Sequence, residues 1–420
     1  MPVRPAFAAG IPSALALLLL VTAAQPALAD ALTFDYALKL AETMAPENLA
    51  RAAQVASANA AIRPADALPD PKLFLGIDNL PVEGQQRYSL DDDSMTMRRI
   101  GVMQEVPNSD KRRARRHSAE AFAELAQAEQ RQALIKVKQD VAASWLRLFY
   151  AQQRFSAFDD LLKQLNLQRS TVPALIAGGT AKPADAVALE QETLDLEDRR
   201  DQLISDVAGA RAQLRQFLGA QGDQPLAGSA PVLEWSATHS QHGLAHHPDI
   251  QAAAARVGEA KAELGEAVAE KKPDWGVELG YGNRDKRFGD MVSLQVTFDL
   301  PLFTGARQGP RITSREKNLS RMEQEQEVML RSHQMELESG LAEQDRLRAV
   351  LRRSTESAIP LAQRRFSLEM AAYKAGSADI GTVVSARRQL IEATLRKVGL
   401  EEELSVLTAK LFFAYAEGAQ

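Results

Sequence analysis

No cysteine occurs among the 420 residues. That excludes a disulfide scaffold, a thiolate zinc site and a cysteine nucleophile, and it predicts no lipid anchor on cysteine. Aromatic residues make up only 5% of the chain; beside abundant Ala, Leu, Glu, Gln and Arg, this points to long helices rather than a conventional mixed core. Positive charge is in deficit, with 50 Lys and Arg against 55 Asp and Glu, so no nucleic-acid partner is expected. Long apolar runs are scarce as well. After the N-terminus none approaches the ~20 residues that cross a bilayer as a helix. There is no phosphate loop, no Gly-x-Ser-x-Gly elbow and no His-Glu-x-x-His, so neither an enzyme nor a cofactor is expected. The 45% hydrophobic share nevertheless requires a folded chain.

Met1 to Ala29 has the form of a secretory signal peptide. Arg4 precedes an apolar run from Ala14 to Ala24, and Ala27-Leu28-Ala29 offers a small-residue cleavage site before Asp30. The mature protein is therefore expected to be exported, either remaining soluble or entering a membrane as β-strands.

Four sequence anchors recur in the same order. Pro46 and Pro248 lie 202 residues apart, as do Pro71 and Pro273; Pro107 and Pro301 follow at 194, and Gly179 and Gly376 at 197. The chain thus reads as a duplicated unit, with the first repeat at 30–220 and the second at 221–420. Each is expected to contain a short helix, two strands, one very long helix, a tight turn and a returning helix. The strands are placed near 72–80, 95–106, 275–283 and 291–300. Val292, Leu294, Val296 and Phe298 alternate with Ser293, Gln295 and Thr297, and Leu73, Leu75 and Ile77 show the same period of two.

The helices are read from their caps and heptads. Asn108-Ser109-Asp110 offers capping side chains, and no breaker appears before Pro173. Within that span Leu134, Val141, Leu148, Phe155 and Leu162 recur every seven residues, with Val137, Ser144, Ala151, Phe158 and Leu165 between them. This is a coiled-coil seam. Pro360 predicts a kink in the corresponding span of the second repeat. Four strands cannot close a membrane barrel, and an open sheet edge cannot face lipid. If the strands span, several chains must combine. Three copies would supply twelve strands, whereas two would give a minimal barrel filled by its own side chains.

The signal peptide, the duplicated strand pair, Pro301-Leu302-Phe303-x-Gly305 and the long hairpin turning at Ala375-Gly376-Ser377 resemble the TolC family of outer-membrane efflux ducts. Leu68-Pro69-Asp70-Pro71, Asp78-Asn79-Leu80-Pro81 and Gln104-Glu105-Val106-Pro107 are most similar to its CzcC-like heavy-metal branch. The resemblance implies a mainly α fold with a membrane β-barrel: a homotrimer whose 12-stranded barrel continues into a periplasmic α-helical barrel. It also implies outer-membrane lipid, a periplasmic adaptor (membrane fusion) protein and an inner-membrane RND transporter as partners. On this reading the chain is a passive exit duct for heavy-metal cations. The alternatives are a multidrug or type I secretion duct of the same fold, or a periplasmic coiled-coil adaptor.

Gly178, Gly179 and Thr180, with Gly376 and Ser377, form the expected hairpin tips, where the family meets its adaptor. Counted from the turn glycine, Asp185 matches the family's anionic gate; Thr382 and Ser385 stand where the second repeat lacks a carboxylate. Its alternative role is to cap the returning helix. His239, His242 and His246 could share one helical face with metal-ligand spacing, or simply be solvated, and His247 could belong to a helix start. Lys111 to Arg116 forms a basic run beside the strands, open to a headgroup or a solvated-face reading. Trp275, Tyr281, Phe298 and Phe303 are candidates for an interfacial girdle.

Overall fold

The computed structural model describes residues 31–170, 177, 178, 182–233, 243, 244 and 246–416. The signal-peptide reading, Val172, Gly179, Thr180, His239 and His242 lie outside the described residues. The elements run α1 (Phe34–Met44), α2 (Pro46–Ala65), β1 (Lys72–Asp78), β2 (Met97–Val106), α3 (Ser109–Arg169), α4 (Pro183–Leu218), α5 (Pro248–Ala269), β3 (Trp275–Asn283), β4 (Met291–Phe298), α6 (Gln308–Arg353), α7 (Ile359–Lys374) and α8 (Ile380–Tyr415). A 3₁₀ turn at Gly219–Asp223 follows α4, and a π-helical turn at Ser354–Ala358 joins α6 to α7.

Two local differences from the sequence reading have backbone causes. The short helix expected first in the chain is two helices, because Ala45 adopts an extended conformation at φ −62°, ψ 125° before Pro46; a proline disfavours α geometry in its predecessor. The strand expected near 72–80 stops at Asp78, since Asn79 turns to φ 56°. The kink expected from Pro360 takes the form of the π turn just before it. The ring removes a helical N–H and crowds the preceding turn, and the widened turn absorbs this without ending the rod.

Helix α3 has 61 residues and extends ~90 Å at ~1.5 Å per residue. It packs on α2, α4, α5 and α8. Its heptad positions Val137, Val141, Leu148, Ala151, Phe158 and Leu162 are buried, as is Ser144. Near mid-length they meet Leu32, Phe34, Ala37 and Ala41 from the start of the described chain, Leu214 and Leu218 from α4, and Phe413 from α8. Trp145 lies at the centre, fully buried, with its indole N–H donating to the Leu32 carbonyl at 3.0 Å. The Phe34 ring meets it edge-on at 5.5 Å and Phe149 stacks on it at 5.3 Å. Further along, Phe158, Leu189, Leu196 and Leu203 pack with Ile380, Val383, Ile391 and Leu395, so both helical hairpins share one apolar layer.

All four strands form one antiparallel sheet in the order β1-β2-β3-β4. Strands β1 and β4 are its edges.

Candidate functional site

The register turns the alternating sequence into rows. Leu73 pairs with Val102, Val102 with Leu279 and Leu279 with Leu294; the neighbouring row is Leu75, Ile100, Tyr281 and Val292. Toward the helices, Val277 pairs with Val296 and Trp275 with Phe298. These side chains share one face because successive residues of a strand point to opposite sides. Most are exposed, and Leu75, Val292 and Leu294 are at least 70% exposed. A continuous apolar surface of this kind needs an apolar environment. Trp275 and Tyr281 are ~20 Å apart along β3 at ~3.3 Å per residue, with Trp275 and Phe298 at the helix end and Tyr281 near the opposite end. Phe303, Leu300 and Leu302 extend the exposed apolar surface at the helix end.

The other face carries the polar side chains, packed over glycines. Arg99 donates to Asp78 at 3.2 Å and pairs with Glu278 on the adjacent strand. Its guanidinium lies 4.9 Å over the Phe74 ring. Gly101 makes this possible: a Cβ there would come within 2.2 Å of the Phe74 ring and 2.5 Å of the Leu279 carbonyl. At the loop end, Arg284 and Arg287 donate to the Ser94 and Asp91 carbonyls, tying the two strand connections together.

At the helix end the basic run is tied to acidic partners. Lys111 pairs with Asp274 at 2.7 Å, Arg115 with Glu266 at 3.6 Å, and Arg116 with Asp66 and Glu120. Asn108 caps α3 by accepting from the Lys111 N–H at 2.8 Å while donating to Asp274. These bonds anchor the long helix against the start of β3. Glu120 lies one turn on in the same helix, whereas Asp66, Glu266 and Asp274 come from the C-cap of α2, from α5 and from the residue before β3.

At the hairpin tips, Gly178 is an exposed turn residue. Gly376 has φ 73°, so the second turn uses the left-handed conformation that glycine adopts without steric cost. Ser377 closes it by donating its N–H and its hydroxyl to the Ala372 carbonyl at 2.9 and 3.0 Å. Asp379 caps α8, accepting from the Gly381 N–H at 2.9 Å, and Thr382 donates to the Asp379 carbonyl. Asp185 is buried, and its carboxylate accepts from the Lys182 N–H at 2.8 Å at the start of α4. It therefore stands at the third position of α4 and bonds back to the N–H of the N-cap residue Lys182, as in a capping box. Tyr373 lies against both tips: burial first, then the Asp185 and Asp379 carboxylates, raises its pKa. Replacing Asp185 with Ala is expected to cost about 1 kcal/mol through loss of this capping-box hydrogen bond, measured as a lower denaturant midpoint.

The histidine reading is redirected. His246 is an exposed turn residue, whereas the buried His247 comes together with Asp249 and His333. His247 caps α5, its Nδ1 accepting from the Asp249 N–H at 3.1 Å. The His333 ring lies 3.9 Å from it, and His333 Nε2 is 3.0 Å from Asp249 Oδ2. Tyr415 donates its hydroxyl to the His333 carbonyl at 3.2 Å and lies 3.3 Å from His333 Nδ1. No local spacing could reveal this group, because His333 and Tyr415 arrive from α6 and α8. Burial, followed by the adjacent His333, lowers the His247 pKa to about 4, against the opposing pull of Asp249. Its contribution to stability is then complete above its unfolded pKa of ~6.5 and is lost as pH falls through about 4, a loss of about 3 kcal/mol. Melting of the chelator-treated protein between pH 7 and 4, compared with His247→Asn, measures this; the variant is expected to show a shallower decline.

Residues 240–414 match the family described as outer membrane efflux protein. The cobalt-zinc-cadmium resistance protein CzcC of Cupriavidus metallidurans is 23% identical over 89% of this chain and 87% of its own length. Among solved structures, CusC is similar at a TM-score of 0.79 with 17% identity, covering 91% of each chain. VceC of Vibrio cholerae is similar at 0.76 with 18% identity over 91% of this chain and 95% of that one. The MtrE channel of Neisseria gonorrhoeae gives 0.74 and 16% over 92% and 89%.

Proposed function

This chain carries an outer membrane efflux domain in its second half on the fold of TolC-like channels, and from this we propose that it is the exit duct of a tripartite efflux system. Three copies join their sheets into a twelve-stranded barrel, and their helices continue it into the periplasm. The observation that carries this reading is the sheet itself. Its outer rows are apolar and exposed, its other face is polar, and the outer edges of β1 and β4 have no strand partner among the described residues. No described helix is long and apolar enough to cross a membrane. In lipid an unpaired edge leaves backbone N–H and C=O groups unsatisfied, so copies must pair β4 to β1 around a ring.

Heavy-metal cations are the proposed cargo, supported by the similarity to a cobalt-zinc-cadmium resistance protein. The tips around Gly178, Gly179, Thr180, Gly376 and Ser377 meet a periplasmic adaptor, and an inner-membrane RND pump supplies the energy. Asp185 contributes to a cation gate when the tips part. Deleting the protein should lower tolerance to zinc, cobalt and cadmium, and the full chain should restore it and run as a heat-labile trimer from outer-membrane extracts. Unchanged metal tolerance would remove the cargo assignment, while a soluble monomer would remove the duct. Asp185→Asn keeps a capping oxygen but removes the charge; weaker divalent-cation block of single-channel current is expected if the gate role holds.

A further inference from the structure

We propose that His247, Asp249 and His333 form a binding site for a divalent transition-metal cation of the zinc type, a clip joining the start of α5 to the long helix α6. One donor atom from each residue lies within 4.8 Å of the others. Two imidazoles and one carboxylate make a borderline donor set that suits zinc, with a fourth position open to water.

The surrounding bonds already hold the ligands as such a site requires. His247 Nδ1 is engaged by the Asp249 N–H, which leaves Nε2 as its coordinating nitrogen. His333 Nδ1 is beside the Tyr415 hydroxyl, and that hydroxyl is itself oriented by the His333 carbonyl. With Nδ1–H directed at Tyr415, His333 Nε2 presents its lone pair toward Asp249. Nε2 lies 3.0 Å from Asp249 Oδ2, so one cation can be held by both atoms after a small separation of the two side chains. Gln132 hydrogen-bonds the Asp249 carboxylate from α3. Hydrogen bonds of this kind fix ring orientation and tautomer around bound metals.

Access agrees with the assignment. The group lines a cavity of about 1000 Å³ that receives Glu47 and Glu336 as well as Arg51 and Arg256, the two arginines being paired with Glu129. Both rings are buried, while the Asp249 side chain is 31% exposed and stands where a cation would enter. The equivalent turn of the first repeat is Ala45-Pro46-Glu47, with alanine where His247 stands, so each chain has one such site rather than two. The site does not depend on the chain being a duct or on what passes through it.

Zinc titration of the detergent-purified full chain by calorimetry should show saturable binding of one Zn²⁺ per chain. His247→Asn, which retains a capping oxygen, and His333→Gln should each weaken binding at least tenfold, while joint replacement of His239, His242 and His246 by Ala should leave it unchanged. Zinc-edge X-ray absorption of the unaltered protein should show two imidazole ligands at ~2.0–2.1 Å, a readout that needs no variant to fold. Absence of saturable binding, an all-oxygen shell, or loss only in the triple variant would overturn the assignment.

Discussion

Leu279→Arg is expected to prevent assembly in the outer membrane. Leu279 lies at the middle of an outward row, between Val102 on β2 and Leu294 on β4, and is 55% exposed. A guanidinium at the bilayer midplane of a barrel costs ~2–4 kcal/mol, and a trimer incurs that cost three times around its circumference. The expected result is loss of the heat-labile trimer band from outer-membrane fractions, with the chain recovered as periplasmic or degraded material. Gln295→Arg is the matched control. It lies next to Leu294 but on the opposite face, paired with Glu278, where a lumen-facing charge is tolerated. Equal tolerance of both substitutions would show that the exposed rows do not meet lipid.

Trp145→Ala should be the most damaging truncation among the helices. Removing a fully buried indole costs ~3–5 kcal/mol through lost transfer energy and the cavity that remains. It also removes the edge-on contact to Phe34, the stack on Phe149 and the hydrogen bond to the Leu32 carbonyl. That bond ties the start of the described chain to α3, alongside the Glu42–Lys138 ion pair at 2.8 Å, and Leu32 is also held by its bridge to Leu226. The loss should appear as a markedly lower melting temperature and as earlier protease cleavage near Leu32. Trp145→Phe keeps most of the apolar volume, so its cost should fall to about 1 kcal/mol, the net value of one hydrogen bond. If the two variants melt together, the core assigned to Trp145 is wrong.

Much of the fold was legible because its signals are short-range and periodic. The heptad on α3 follows from the 3.5-residue spacing of apolar residues that two packed helices require, and most of its named positions are buried. The fully buried Trp145 and Leu146 fall outside it because α3 packs on several helices at once. The outward rows follow from the two-residue period of a strand. The cross-strand register does not. Nothing local tells Leu73 that it will share a row with Leu279 and Leu294, because pairing depends on strands drawn from both halves of the chain.

The sites were less legible. Asp185 was identified by its distance from a turn, but that distance serves a gate and a helix cap equally well; only its burial and its bond to the Lys182 N–H place it at the cap. The basic run after Pro107 looked available for external anions. Besides the neighbouring Asp110 and Glu120, its partners Asp66, Glu266 and Asp274 are far away in sequence. The histidines mark the limit most clearly. Spacing drew attention to His239, His242 and His246, whereas the structure brings His247 to His333, 86 positions further along the chain, and to Tyr415 at the end of α8.

The amino-acid order by itself determined that this protein would be two rods of helix carrying four amphipathic strands, because propensity, capping and apolar period act over a few residues. Only the tertiary structure decided which residues meet across the repeats: the apolar rows, the Arg99 network and the His247, Asp249 and His333 group. Helices about 90 Å long align side chains that are distant in sequence, and the identity of those neighbours depends on how the rods pack, not on the local pattern of either one.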